Sequence, residues 1–296
     1  MNRVIIDKES HIQIKGDVIL ADGIKIPLRA VDLLIISSRA ESSLQDLAKI
    51  AKKDVAILIV TSKPKEFLLL QKRYQKGGDL KASQYYALDR KVEIAKEILA
   101  KKIEYSYLAL RRLGLDFEMG VFQKELKNVE DMETLLGIEG NVAKRYFELY
   151  FSLFPKVWAK GARSKNPPKD PINALLSYCY TIYYYEIAAW LGYYGFEPMI
   201  GYLHTPFRSH MALASDILEL FRSDIDTLVA RLVLDKEIVL RDFTDKGGIY
   251  LTTNGRKKLW THLKSFMEEK EGRLKRSIAA LRATLAKRSS YDPKRK

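Results

Sequence analysis

The sequence predicts an α+β fold: a small N-terminal β-rich domain followed by a larger all-α C-terminal domain. Three observations predict it. The first 80 residues hold short apolar runs separated by turn residues. A glycine-bearing stretch, QKGGDL (75–80), follows and reads as a linker. Almost everything beyond it carries helical periodicity. The division therefore falls at residues 1–80 and 81–296.

In the first part, VIID, HIQIK, DVILA and IKIPL alternate like short strands, with turn signals at Gly16-Asp17 and Asp22-Gly23. VDLLIIS (31–37) and VAILIVT (55–61) are continuously apolar, as strands buried on both faces are. Between them, SSLQDLAKIAKK places Leu44, Leu47 and Ile50 on one helical face. Ser83 to Leu113 lacks proline and glycine, so it reads as one helix of roughly 45 Å. PKVWAKGARSKNPPKDP (155–171) is too proline-rich for regular structure and reads as a loop. Asp170 is placed to begin the next helix. DFTDKGGIYLTTNG interrupts the helical pattern and has room for a small strand pair.

Composition narrows the class. Of 296 residues, 47% are hydrophobic and 30% charged, which is a folded composition. No apolar run is long enough to span a bilayer. The N-terminus alternates like a strand and is not expected to be a signal peptide. One cysteine, Cys179, excludes an intramolecular disulfide and a cysteine-rich zinc site. A cytoplasmic protein is expected. The net charge of +14 points to a polyanionic partner. Residues 256–296 carry 14 Lys/Arg against 4 Asp/Glu, so the excess concentrates there, either as a solvated basic tail or as a nucleic-acid contact. Neither a G-x-x-x-x-G-K-[ST] loop nor G-x-S-x-G occurs, which speaks against ATP use and an α/β-hydrolase triad.

Candidate chemistry concentrates in GYLHTPFRSHMALASDILELFR (201–222). Asp216 and Glu219 lie three apart on a predicted helix and share a face. His204 lies twelve residues earlier, in a loop or helix end. Two carboxylates and an imidazole suit Mn²⁺, Mg²⁺ or Zn²⁺. They equally suit a solvated helix face and a core histidine, and His210 competes with His204. Glu139, in LLGIEGNVAKRYF, stands where a helical pattern begins, a place where a glutamate also serves the helix dipole. In RSKNPPKDPINALLSYCYTIYYYE, Asn173 is polar at the head of an apolar helix. Tyr178, Tyr180 and Tyr183 to Tyr185 read as core residues, with base stacking as the alternative.

Together these segments resemble the CRISPR-associated spacer-acquisition integrase/endonuclease family, the first-numbered protein of those systems. LLGIEGNVAKRYF is similar to that family's glutamate motif. RSKNPPKDPINALLSYCY is similar to its central loop and helix, and 201–222 to its histidine motif and acidic helix. GGIYLTTNGRKKL resembles the glycine-containing segment before its last helices. The resemblance covers the whole chain. It implies a metal, Mg²⁺ or Mn²⁺, held by Glu139, His204 and Glu219, with Asp216 as a further catalytic acid. Glu219 stands where other members carry Asp. The implied activity is metal-dependent DNA cleavage, and insertion of short foreign DNA fragments into a CRISPR array by phosphodiester transesterification, in antiviral defence. The alternatives are a sequence-nonspecific nucleic-acid-binding protein without catalysis, or a metal-dependent nuclease without strand transfer. Arg163, Arg208 and Arg222 are the expected phosphate contacts. The resemblance further implies dimerisation through the β domain, DNA as fragment and repeat, and assembly with the small second CRISPR-associated protein. It makes 81–296 the catalytic, metal- and DNA-binding domain.

Overall fold

The computed structural model describes residues 3–6, 10–53, 55–60, 67–70, 77–208 and 210–288. Asp7 and Thr61 of the expected strands, the start of the QKGGDL stretch and the last eight residues of the basic segment lie outside them. A strand-rich N-terminal region passes into a helical C-terminal one, as the patterning predicts.

Two four-stranded sheets form the N-terminal region. One is ordered β4-β3-β2-β6, from β2 (His11–Lys15), β3 (Val18–Ala21), β4 (Ile24–Pro27) and β6 (Glu41–Ser42). The other is ordered β1-β5-β7-β8, from β1 (Arg3–Ile6), β5 (Leu33–Ser37), β7 (Ala56–Val60) and β8 (Phe67–Leu70). β1, β5 and β7 run parallel, and α1 (Leu44–Lys52) links β5 to β7. Ser43 caps α1 by accepting from the Asp46 N–H at 3.0 Å. β8 was not legible as a strand and extends the sheet antiparallel to β7. The apolar character of β5 and β7 has a clear use. Leu33, Ile35, Ala56 and Leu58 pack into the helical core, while Leu34, Ile36 and Ile57 pack against Ile12, Ile14 and Ile19 of the other sheet. That sheet is therefore a wall shared by two cores.

Two helical expectations need correction. Gly78 to Leu80 are not linker: they open α2 (Gly78–Tyr86). Gly77 before it has φ +96°, and a Cβ there would meet the Gly195 carbonyl oxygen at 2.6 Å, so only glycine fits. Nor is Ser83 to Leu113 one helix. A 3₁₀ turn at Ala87–Arg90 separates α2 from α3 (Lys91–Arg112). No helix-breaking residue marks it. Tertiary anchoring sets it: buried Gln84 donates to the Glu197 carbonyl at 3.2 Å and accepts from the Glu197 N–H at 2.8 Å.

The remaining helices are α4 (Met119–Lys127), α5 (Met132–Ser152), α6 (Pro171–Tyr193), α7 (Ala212–Glu219), α8 (Arg222–Leu234) and α9 (Thr253–Arg288). Buried on almost every side, α6 forms the centre of this region. Asp170 caps it by accepting from the Asn173 N–H at 2.8 Å, with Pro171 in its first turn. The expected strand pair is present as β9 (Phe243–Asp245) and β10 (Ile249–Leu251). Most of the basic C-terminal segment is helix rather than tail, because eleven of its fourteen Lys/Arg lie within α9. Among the described residues, no helix is long and apolar enough to cross a membrane.

Candidate functional site

Glu139 does not begin a helix. α5 starts seven residues earlier, where the Asp131 carboxylate accepts from the Thr134 N–H at 2.8 Å, and Glu139 lies in its third turn. From there it faces α7. Glu219 is the last residue of α7 and Arg222 the first of α8, so the bend between them presents an acid and a base side by side. The Arg222 Nε donates to Glu219 Oε1 at 2.7 Å.

The residue at the centre is not among those predicted from the sequence. Lys102, on α3, pairs its ammonium with Glu139 Oε1 and lies 2.8 Å from Glu219 Oε2. The second contact is an ion pair to a buried carboxylate oxygen. Burial disfavours the Lys102 charge, but the Glu219 and Glu139 carboxylates outweigh it and raise the amine above its ordinary value. Burial also opposes ionisation of Glu219, yet Arg222, Lys102 and His204 hold its carboxyl well below the usual range. A signal for Lys102 existed: Ile98, Lys102 and Ser106 share one buried helical stripe. Lysines on such stripes commonly reach out to solvent, which hides the signal.

His204 completes the cluster, with Nε2 3.8 Å from Glu219 Oε1. Its Nδ1 lies 2.8 Å from Asp216 Oδ1. As Asp216 is an acceptor, Nδ1 carries the proton in the neutral ring and Nε2 keeps its lone pair toward Glu219. Asp216 also accepts from the backbone N–H groups of Tyr202 (2.6 Å), Leu203 (3.1 Å) and His204 (2.9 Å). It is fully buried and faces backbone rather than the cavity, so neither acid of α7 forms a solvated face. Gly201 lets this segment lie on α7, since a Cβ there would meet Ala212 at 2.7 Å. The other candidate, His210, lies 2.7 Å from Ser215 Oγ through its Nε2.

Lys102, Glu139, His204 and Glu219 line a cavity of about 630 Å³. Arg163, Lys165, Arg222, Tyr146, Tyr180 and Asp226 line it as well. Arg163 is anchored on α6, donating to Asn173 Oδ1 at 2.7 Å and Ser177 Oγ at 3.1 Å. Asn173 in turn donates to the Ala162 carbonyl at 2.9 Å, tying the proline-rich loop to the helix. Burial, with Arg222 and Arg163 nearby, lowers the Lys165 pKa. Asp226 accepts from the Tyr146 hydroxyl at 2.8 Å and from the Tyr180 hydroxyl. Burial pushes its carboxyl up to about 6, although the two tyrosines and Arg222 favour its charged form. Tyr180, Tyr183 and Tyr185 are core residues, as the default reading has it, and Arg222 stacks 4.6 Å over the Tyr180 ring. Arg208, with φ +51°, lies over the exposed Phe207 ring and lines neither this cavity nor the adjoining one of about 360 Å³.

Among the described residues, no three His, Cys, Asp or Glu side chains stand close enough to hold a metal between them. The Lys102 ammonium occupies the space between Glu139 and Glu219. The chemistry of the donor set nevertheless fits a divalent ion: two carboxylates that already meet one ammonium, and an imidazole with Nε2 toward one of them. The place is already a cation site.

A strand-rich region joined to a helical one, with an acid–imidazole cluster in a basic cavity, defines the class. The chain belongs to the Cas1 family: the family model for CRISPR associated protein Cas1 matches residues 4–265. A CRISPR-associated endonuclease Cas1 of Thermodesulfovibrio yellowstonii is 31% identical over 293 residues, covering 91% of this chain and 92% of that one. The structure of a Cas1 protein from Thermotoga maritima superposes with a TM-score of 0.88 at 20% identity, covering 96% and 97%. A casposase bound to integration product superposes with a TM-score of 0.81 at 21% identity, covering 90% and 82%.

Proposed function

We propose that the chain is a metal-dependent DNA endonuclease and integrase that inserts short DNA fragments into a CRISPR array. One observation carries the reading. Glu139 and Glu219, eighty residues apart in sequence, converge on the Lys102 ammonium, with His204 Nε2 beside them and Arg163, Lys165 and Arg222 lining the same cavity. Membership of the Cas1 family supports it, as does the fold shared with a casposase bound to integration product.

Glu139, Glu219 and His204 Nε2 would hold Mg²⁺ or Mn²⁺, and the mixed oxygen and nitrogen donors suit Mn²⁺ at least as well. A divalent ion there supplies polarisation of the phosphoryl oxygen and a lowered pKa for the attacking hydroxyl. Asp216 keeps the His204 ring oriented and its proton on Nδ1. The Arg163, Lys165 and Arg222 cations draw the phosphodiester into the cavity without reading its sequence. In strand transfer a 3′-hydroxyl attacks phosphorus, one P–O bond forms, and the bond to another 3′-oxygen breaks. The departing oxygen takes up a proton, so the bond count is unchanged and no nucleotide energy source is needed. Water in place of the hydroxyl gives cleavage. Homodimerisation through residues 1–80, and assembly with the small second CRISPR-associated protein, belong to the same reading.

The test joins labelled DNA fragments to a repeat-containing plasmid with Mn²⁺ or Mg²⁺, using wild type, Glu139→Ala and His204→Ala. Joined products in wild type alone are expected. Divalent-dependent processing unchanged in both variants would overturn the metal site. Cleavage products alone, with the partner protein present, would leave a nuclease without strand transfer.

A further inference from the structure

Lys102 has an ammonium where the proposed metal belongs, and three features of its setting bear on its role. Its two carboxylate partners come from different helices, α5 and α7. Two like charges at that separation repel, so a positive charge between them is needed for the arrangement to persist. Glu219 is held by side chains, Lys102 at 2.8 Å and Arg222 at 2.7 Å, unlike carboxylates in this chain that a backbone N–H also fixes. Asp242, for example, accepts from Lys258 at 2.9 Å and from the Val239 N–H at 2.9 Å. Lastly, Lys102 has somewhere to go, because it lines the 630 Å³ cavity on a flexible four-carbon stem. Arg222 would still neutralise Glu219 Oε1 after it moved.

We propose that Lys102 is an exchangeable place-holder. Its ammonium occupies the cation seat while no metal is bound, keeps Glu139 and Glu219 together, and yields the seat to a divalent ion by swinging into the 630 Å³ cavity. There it adds a positive charge to the wall formed by Arg163, Lys165 and Arg222, the wall assigned to the phosphodiester. Lys102 is thus a positioning residue in the empty protein and a competitor for the metal. This inference rests on the metal-site reading above.

The experiment uses the full chain without DNA. Mn²⁺ binding is followed by the electron paramagnetic resonance signal of the free ion, at one pH and ionic strength. Wild type should bind Mn²⁺ at a site lost in Glu219→Gln. Lys102→Met, which keeps the length and removes the charge, should bind it at least about tenfold more tightly. The same variant should melt lower than wild type in chelator and gain more from added Mn²⁺. A second measurement needs no variant. Saturating Mn²⁺ should speed acetylation of Lys102 in wild type, read by mass spectrometry against exposed Lys25. Equal or weaker Mn²⁺ affinity in Lys102→Met, with Lys102 labelling unmoved by Mn²⁺, overturns the place-holder while leaving the metal site standing. Should Lys102→Met not fold, unmoved labelling alone overturns it. Absence of any Glu219-dependent Mn²⁺ site in both wild type and Lys102→Met overturns the metal reading and the place-holder with it.

Discussion

Asp216 and the loop it holds differ from Glu219 and the cluster it faces, although the two acids sit one turn apart on α7. Asp216 is surrounded by N–H groups: three from the backbone of residues 202–204 and one from the His204 ring. Those donors cannot leave without unfolding the loop. Glu219 is surrounded by side chains: the Arg222 and Lys102 cations and the His204 ring. Side-chain cations can move and be replaced. The same chemical group is thus architecture at one position and a seat for exchangeable charge at the other, and what surrounds it decides which.

Substitutions break the comparison at different levels. Glu139→Ala should have the largest effect, because Glu139 faces the cation seat and is 29% exposed, so the fold tolerates its loss. Divalent-dependent DNA processing should fall at least about a hundredfold, the several kcal/mol expected for losing a metal's charge stabilisation, with melting little changed. A drop in melting as large as the drop in rate would move Glu139 into the architectural class. Asp216→Ala should do the reverse. It strands three backbone donors and should cost about 2–4 kcal/mol in urea unfolding. Unaltered unfolding would contradict its assigned role.

Asp226 sharpens the contrast as a third kind of acid, buried and met by neutral hydroxyls as well as nearby cations. Its folded pKa of about 6 lies above the ordinary 3.8. Between those values the folded state binds more protons than the unfolded, so this group's contribution falls as pH rises from about 4 to about 6. Asp226→Asn removes the titration. The variant should therefore gain on wild type by roughly 1–3 kcal/mol between pH 4 and pH 7 in unfolding experiments. A constant difference would show that Asp226 stays charged throughout. The smallest effect belongs to Arg208→Gly, which relieves a left-handed backbone angle at an exposed position. It should change stability by no more than about 1 kcal/mol.

Much of the fold was legible. Alternation in HIQIK gives an edge-to-core pattern in β2, and the runs at 33–37 and 56–60 give strands buried between two cores. The caps at Ser43 and Asp170 sit where their residue types place them. Other features were not legible. β8 lies outside any pattern that was read, and the break at Ala87–Arg90 depends on Gln84 reaching residue 197. The start of α5 is set by the cap at Asp131, which the apolar pattern around Glu139 does not reveal. At the candidate site, the donor types and their order along the chain were readable. The cation between them was not, nor was the part played by Tyr146, Tyr180 and Asp226.

The physical reason is range. Periodicity, capping and turn chemistry act within one or two helical turns, so neighbouring residues suffice to specify them, and the sequence alone settles the α+β order and the acids available on α7. Charge compensation acts across the fold. Lys102 meets Glu139 from 37 residues away and Glu219 from farther still, and Asp216 closes on backbone groups up to 14 residues before it. Which carboxylate is buried against backbone, and which holds a replaceable cation, follows from packing α3, α5 and α7 together.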